Sequence, residues 1–156
     1  MLKYLIGFAV VAMTVATAQP AHAGAVAICI QKEKNKAGNN YDSEYFLRHG
    51  KSPNVNGYVA WRAARKDHRE SYPESRNPKA PYCRHNGYTL ADGGYFIIIK
   101  GGRDKDHVGE HYNRWALGFG KTRADALADA KKELGQRDWS WNLKKHGYEI
   151  EEENAI

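Results

Sequence analysis

Two histidines and a glutamate stand close together in the second half of the chain. His107, Glu110 and His111 fit the pattern H-x-x-E-H, in which histidines one helical turn apart bind zinc while the glutamate activates a water molecule. Gly109 lies inside the pattern and a glycine pair precedes it, which favours a loop over a helix. We therefore expect a polar, pH-sensitive loop, with no catalytic residues, no metal and no cofactor. A small metal-dependent hydrolase that uses His107, Glu110 and His111 is the alternative.

Basic residues interleaved with tyrosines and tryptophans form a second candidate site. Such a pattern is typical of proteins that bind polyanions or glycans. The candidate polyanion-binding residues are Arg62, Arg65, Lys66, Arg69, Lys121 and Arg123, with further cations at Lys131, Lys132, Lys144 and Lys145. Trp141 can stack on a sugar, and so can Trp139, although we expect Trp139 in the core. The chain also carries 18 carboxylates and a formal net charge of +6, so a solvated charged face is the competing interpretation.

The N-terminal residues have the organisation of a secretory signal. Lys3 precedes an apolar stretch that is shorter than a membrane-spanning helix needs, and residues 21–23 form a small-x-small cleavage pattern. We expect residues 1–23 to be removed, which leaves an exported domain at 24–150 and an acidic, frayed tail at 151–156. The location is then periplasmic or secreted, and the mature chain has no membrane span.

The chain contains two cysteines, Cys29 and Cys83. In an oxidising compartment a lone pair of cysteines forms a disulfide, here closing a loop of about fifty residues. The alternative makes Cys83 a nucleophile served by His85 or another histidine. Because a residue two positions away gives no assurance of a thiol–imidazole contact, we favour the disulfide.

The elements that must position these residues can be read from hydrophobic periodicity and cap signals. Ser43 and Gly50 are residue types that begin and end helices, which predicts a short helix at 43–50. A helix is also favoured at 58–69, although the first residues there suit a strand equally well. The remaining predictions are a buried strand at 25–30, a short strand at 88–90 and a half-buried strand at 139–143.

Residues 94–135 form the unit around which the rest of the chain is organised. A strand at 95–99 and a second strand lead into Gly118 and Gly120, one of which we expect at positive φ. Thr122 then caps a helix, with Asp125 in the capping-box position. We expect this helix to end at Gly135 and to turn Leu127 and Leu134 toward the sheet.

The strand, glycine turn and alanine-rich helix at 114–126 resemble the repeat of a family of small secreted bacterial proteins, a domain of unknown function. Residues 25–28 are similar to the short strand that opens such domains. The family usually carries cysteines near the end of the helix, where this chain has Leu134 and Trp139. The resemblance implies an exported protein and no known activity.

The same turn also resembles the start of the last helix of double-stranded RNA-binding domains. Ala124 and Leu127 stand where that family has lysines, and apolar side chains cannot bind phosphate. An exported protein does not meet intracellular nucleic acid, so we do not expect this partner.

Together these patterns predict an α+β fold, with a small antiparallel sheet, one main C-terminal helix and one or two shorter helices. The function they favour is that of an exported, non-catalytic binding domain. Its partner is another protein, an envelope polyanion or a glycan.

Overall fold

The computed structural model describes residues 24–51, 56–73, 80–87 and 94–156. These residues form six strands and three helices, which confirms the α+β class. In chain order they are β1 (Gly24–Lys34), β2 (Asn40–Lys51), α1 (Gly57–Ser71), β3 (Tyr82–His85), β4 (Tyr95–Gly101), β5 (Trp115–Gly120), α2 (Arg123–Arg137), α3 (Leu143–His146) and β6 (Tyr148–Ala155). The predicted signal at 1–23 and the predicted strand at 88–90 lie outside the described residues.

The strands form two antiparallel sheets rather than one. The first sheet has the order β2-β1-β3 and the second sheet has the order β5-β4-β6. In each sheet the middle strand is the most apolar, because it is covered by a layer on both faces. Among the described residues, no helix is long and apolar enough to span a membrane.

The two sheets pack face to face around the central core. Side chains that alternate along the middle strands point into it, as the period of a strand requires. Its buried members are Val26, Ile28 and Ile30 of β1, Phe96 and Ile98 of β4, Leu117 of β5, and Ile156. Because β1 and β4 each send their other side chains to a helix, the molecule has four layers: α1, the first sheet, the second sheet and α2.

The helix α1 covers the outer face of the first sheet and confirms the prediction for 58–69. Asn56 caps it by accepting a hydrogen bond from the backbone N–H of Val59 at 3.0 Å. The contact is built from small residues, with Ala60 of the helix against Ala25 and Ala27 of β1. Small side chains let the helix lie close to the sheet.

The helix α2 covers the outer face of the second sheet. Its Thr122 and Asp125 form the predicted capping box. The residues in contact are Ile97 and Ile99 of β4, Ala116 of β5, and Ala126, Ala130 and Leu134 of α2, with Leu127 half-buried beside them. The turn and helix predictions for 114–134 are therefore confirmed.

Two details of this unit differ from expectation. Neither Gly118 nor Gly120 has a positive φ. At Gly118 an added Cβ would lie 2.1 Å from the carbonyl oxygen of Ala126, so glycine is needed there because the strand and α2 touch. The helix also continues past Gly135 to Arg137 and is capped by Asp138, because one glycine near a helix end is tolerated when the following residues still bond.

The helix predicted at 43–50 is wrong, since these residues belong to β2. Residues 44–50 pair with β1 in continuous register, for example Leu47 opposite Ile28, and Ser43 lies at the register shift between Gln31 and Lys32. Tyr45 and Leu47 alternate toward the central core, while Phe46 contacts the ring of His68 in the layer above. Pairing with a buried strand outweighs the cap signals of Ser43 and Gly50, because short cap motifs stabilise by only about 1 kcal/mol.

Two further predictions near the C-terminus are wrong. Residues 139–142 form a turn and a short connection instead of a strand, and Leu143 begins α3. Trp139 is exposed rather than in the core. The acidic tail is not frayed, because residues 148–155 form β6 and pair with β4 along its length. Ile156 then enters the central core with 2% of its surface exposed. Backbone pairing holds this segment in place, whatever the charge of its side chains.

Cys29 and Cys83 form the predicted disulfide. They are directly opposite each other in the pairing of β1 with β3. The bond therefore fixes the shortest strand of the first sheet, which has four residues, to the buried middle strand.

Candidate functional site

One face of α1 gathers cations and aromatic rings. Along a helix, residues spaced by three and four positions form a stripe, and here that stripe is exposed on the outer surface of the molecule. It borders a groove of about 640 Å³ whose lining residues are Tyr58, Trp61, Arg62, Ala63, Arg65, Lys66 and Arg69. We call this set the α1 stripe.

The opposite side of α1 explains why the stripe faces outward. Gly57, Ala60, Ala64 and His68 are buried against the first sheet. At Gly57 an added Cβ would lie 2.4 Å from the carbonyl oxygen of Gly87, so this end of the helix cannot move away or rotate without losing a close contact. The rotation of the helix is thus fixed by its small residues, and the long basic side chains point to solvent.

His68 closes the buried side of α1 with a polar contact. Its Nε2 atom lies 2.7 Å from Oε1 of Gln31, which is itself buried in β1. The pKa of His68 lies below its ordinary value. Burial is the main cause, nearby Arg65 also lowers the pKa, and Glu44 raises it only in part. The ring is therefore neutral at neutral pH and adds no charge to the α1 stripe.

Within the α1 stripe, three cations have no ion pair or hydrogen bond with another described residue, namely Arg62, Arg65 and Arg69. The guanidinium carbon of Arg65 lies 5.2 Å from the centroid of the Trp61 ring. Lys66 and Glu70 form an exposed ion pair at 3.6 Å, a type that contributes little in water. The stripe thus holds cations that remain available to a ligand.

The second carboxylate of α1 is directed to the other flank of the helix. Asp67 pairs with Arg48 of β2 at 2.8 Å, and these two residues line a separate, more polar groove. The α1 stripe therefore keeps an excess of positive charge. The rings of Tyr58 and Trp61 stack inside it, with centroids 5.3 Å apart and planes inclined by 28°.

Lys121 and Arg123 do not join the α1 stripe. They lie at the start of α2, on the opposite outer layer, and Arg123 forms two hydrogen bonds to Glu153 of β6, at 2.9 and 3.2 Å. The six predicted polyanion-binding residues are therefore split into a cluster of four on α1 and a separate pair. Spacing along a helix can be read from a sequence, whereas the layer to which a helix belongs cannot.

The histidine pattern lies in the loop between β4 and β5, and this loop contains no helix. His111 has its Nε2 atom 2.9 Å from the side-chain nitrogen of Asn113, and its ring edge meets Tyr41 at 5.0 Å between centroids. Among the described residues, no three His, Cys, Asp or Glu side chains are grouped so that they can hold a metal ion. The loop does not supply the helical face that the H-x-x-E-H pattern needs.

Asp106 organises that loop. Desolvation acts to raise its pKa, but hydrogen bonds from Asn39 and Asn35, and from the backbone N–H groups of Glu110 and Val108, lower the pKa to about 2. Because the two asparagines belong to the turn between β1 and β2, Asp106 attaches the loop to the first sheet.

A buried charged cluster escaped the sequence prediction. Asp42 of β2 is fully buried and pairs with Arg114 at 3.2 Å and with Arg137 at 2.9 Å. It also accepts a hydrogen bond from the backbone N–H of Trp115 at 2.9 Å. A buried carboxylate needs such partners, and this cluster joins the first sheet to β5 and α2. Its role is to hold the layers together, since all three side chains are engaged.

Side chains also bond the backbone of β5, which is an edge strand of the second sheet. Two N–H groups and two carbonyl groups of β5 are bonded in this way. The pairs are Trp115 N–H to Asp42, Phe119 N–H to Asp129, Arg137 to the carbonyl of Trp115, and Arg84 to the carbonyl of Leu117. Donors and acceptors that have no neighbouring strand are thus satisfied.

In comparisons with known proteins, no family model, no curated protein and no solved structure matches this chain. The resemblance of residues 114–126 to small secreted bacterial proteins therefore stays a prediction. The candidate site has to be interpreted from its own geometry and charge.

Proposed function

We propose that this protein is an exported, non-catalytic binding domain that binds an anionic polymer of the cell envelope, such as an acidic glycan, along α1. The observation that carries the proposal is the α1 stripe, in which four cations and two aromatic rings line one exposed groove. The disulfide between Cys29 and Cys83 fits a periplasmic or extracellular location.

The spacing of the cations suits a ligand with repeated negative charge. Arg62, Arg65 and Arg69 follow one another at about one turn of helix, or roughly 5 Å along the axis. A polymer with a negative group on each unit can contact several of these cations at once, releasing its bound counterions. A ligand with a single charge would engage one cation and bind weakly.

The aromatic rings favour a polymer built from sugars. Tyr58 and Trp61 stack on each other beside the cations, and the part of this ring pair that is exposed offers apolar surface of the kind with which sugar rings associate. Tyr58 is exposed, so its ring can be reached without any change in the fold. A protein partner with an acidic patch is the competing ligand.

The proposal is tested by measuring affinity for two acidic polysaccharides, alginate and dextran sulfate, over a range of salt concentrations. In the test variant, Arg62, Arg65, Lys66 and Arg69 are all changed to glutamine. We expect this variant to lose most of its affinity and to show a flatter dependence of log K on log salt, because fewer counterions are released. Thermal unfolding should be unchanged, since these side chains are on the surface.

The matched control carries Lys121→Gln and Arg123→Gln on the opposite layer. Both variants lose surface cations, but only the first loses the α1 stripe. Equal affinity of the α1 variant and the unaltered protein would refute the proposal. Weakening of the control by half as much as the α1 variant, in proportion to the two cations lost against four, would also refute it, because binding would then follow net charge instead of a site.

A further inference from the structure

Trp139 is the most exposed large apolar residue described in the structure, with 93% of its surface accessible. It lies in the turn between α2 and α3. Two residues later, Trp141 packs against the α2 side of the second sheet and donates its indole N–H to the carbonyl of Gly147 at 2.8 Å. Trp141 therefore contributes to the packing of the fold, whereas Trp139 is exposed to water.

The turn that carries Trp139 is held on both sides. Asp138 is 3% exposed, and its Oδ1 atom accepts hydrogen bonds from the backbone N–H of Ser140 at 3.0 Å and from the Ser140 hydroxyl at 2.6 Å. Its Oδ2 atom accepts one from Arg103 at 3.2 Å, and its carbonyl accepts one from Trp141 N–H at 3.0 Å. The exposure of Trp139 is thus imposed by an ordered backbone.

The chain that follows Trp139 carries exposed apolar and basic residues. Leu143, at the start of α3, is 43% exposed, and Lys144 and Lys145 follow it on the surface. Residues 139–148 contain no carboxylate, and the carboxylate of the preceding Asp138 is occupied by Arg103 and Ser140. We call Trp139, Leu143, Lys144 and Lys145 the Trp139 corner.

We propose that the Trp139 corner docks on the surface of an anionic lipid bilayer. The Trp139 ring and the Leu143 side chain enter the interface between headgroups and acyl chains, where tryptophan is enriched in membrane proteins. Lys144 and Lys145 contact the phosphate groups, since basic residues beside an apolar anchor are attracted to anionic lipids.

The geometry favours a lipid surface over a sugar. A sugar-binding aromatic ring usually lies in a groove with polar groups that bind the hydroxyls of the ligand. Trp139 protrudes instead, and the polar side chains beside it already serve the turn: Ser140 bonds Asp138, and Asn142 accepts hydrogen bonds from the N–H groups of Lys144 and Lys145. A fluid interface needs no such fixed partners, only an apolar tip and a cationic rim.

This corner is independent of the α1 stripe. It lies at the end of α2, which covers the second sheet, whereas the stripe lies on the helix that covers the first sheet. Membrane docking and polymer binding can therefore be tested separately.

The test is co-sedimentation of the mature chain with vesicles of phosphatidylcholine, with and without phosphatidylglycerol. We expect sedimentation with the phosphatidylglycerol vesicles and little with phosphatidylcholine alone. Trp139→Ala should reduce sedimentation to the phosphatidylcholine level. Lys144→Gln and Lys145→Gln should each lower the partition coefficient about fivefold at low salt, since a basic residue near such a surface contributes about 1 kcal/mol.

Two controls make the result specific. Arg62→Gln with Arg65→Gln removes two cations from the α1 stripe and should leave sedimentation unchanged. Trp139→Ala should keep the unfolding temperature of the unaltered protein, since its ring is in water. Failure to sediment with either vesicle would overturn the proposal, as would sedimentation that does not depend on Trp139. Retention on a neutral polysaccharide column that Trp139→Ala abolishes, without vesicle binding, would assign the corner to a sugar instead.

Discussion

The two halves of the molecule have the same plan and different means of holding it. Each half is a three-stranded antiparallel sheet with a helix of 15 residues on its outer face. In the first half α1 rests on Ala25 and Ala27 through small residues. In the second half α2 rests on Ile97 and Ile99, and Leu134 is fully buried between them.

The two helices differ in how much their contact with the sheet contributes to stability. Small side chains bury little apolar area, so the α1 contact contributes less hydrophobic free energy than the α2 contact. The first half adds a disulfide and the buried pair of His68 with Gln31. The outer face of α1 is occupied by exposed cations, of which only Lys66 forms an ion pair among the described residues. Each of the following experiments tests whether the two halves differ in this way.

The largest effect should follow loss of the disulfide. Replacing Cys29 and Cys83 with alanine should lower the free energy of unfolding by about 4 kcal/mol, because the bond closes a long loop in the unfolded chain. Urea denaturation of the double variant measures this. The unaltered protein under reducing conditions should lose a similar amount. A loss below about 1 kcal/mol would show that the first half is stable without its covalent link.

The next effect concerns the α2 contact. Leu134→Ala should cost about 3 kcal/mol, because it leaves a cavity at a fully buried site. Leu127→Ala should cost clearly less, since Leu127 is only half-buried at the edge of the same cluster. Urea denaturation of the two variants side by side gives the ratio. Equal costs would mean that α2 lies on the sheet in a different rotation.

A smaller effect is the pH dependence carried by His68. Burial lowers the pKa of His68 from its ordinary value of 6.5, so the unfolded chain binds the proton more readily than the folded one. The contribution of this residue to stability is therefore complete above about pH 6.5 and is lost as the pH falls below it, with a slope of at most about 1.4 kcal/mol per pH unit.

The measurement for His68 is the free energy of unfolding between about pH 7 and pH 5. His68→Gln should flatten the curve over this range, even if it lowers stability throughout. His107→Ala, which changes an exposed loop residue, is the control and should leave the shape unaltered. A curve that keeps its shape in His68→Gln would assign the acid sensitivity to another group.

The smallest effect is the loss of a helix cap, and we expect the same loss of stability for the cap of α1 as for the cap of α2. Thr122→Ala removes the cap of α2 and Asn56→Ala removes the cap of α1. Each should cost about 1 kcal/mol, because one backbone donor loses its partner. Thr122→Ser, which keeps the hydroxyl, should be close to neutral. Thermal denaturation of the three variants is sufficient, and a negligible cost for Thr122→Ala would contradict the role of the capping box.

The sequence predicts best where the signals are local. The strand, turn and helix at 114–134 could be identified because a glycine turn, the Thr122 and Asp125 box and a helical period coincide in one short segment. The cations of the α1 stripe could be grouped for the same reason. The helix predicted at 43–50 and the frayed tail predicted at 151–156 are wrong because neither segment carries a clear strand period. The partner of the tail, β4, is also distant in the chain. The partner of residues 43–50, β1, is joined to them by the short turn at 35–39, but the cap signals of Ser43 and Gly50 favoured a helix over that hairpin.

The charged cluster could not be predicted at all. Asp42 and Arg137 are 95 residues apart, and nothing in their neighbours distinguishes them from exposed charges. Which charges are buried depends on which layers meet. For the same reason the sequence does not reveal that Lys121 and Arg123 lie apart from the α1 stripe. It also does not reveal that Trp139, expected in the core, is exposed to solvent.

The side-chain bonds to β5 have a consequence for self-association. An uncovered edge strand is a template on which another chain can add a strand, and this is the first step of many aggregation reactions. On β5, four of the backbone groups that such a strand would need are already engaged by charged side chains. At the other edge of the second sheet, β6 presents Glu149 and Glu151 in solvent, and like charges there repel a second copy. The side-chain bonds at β5 and the negative charges at β6 therefore both oppose the addition of a further strand to the second sheet.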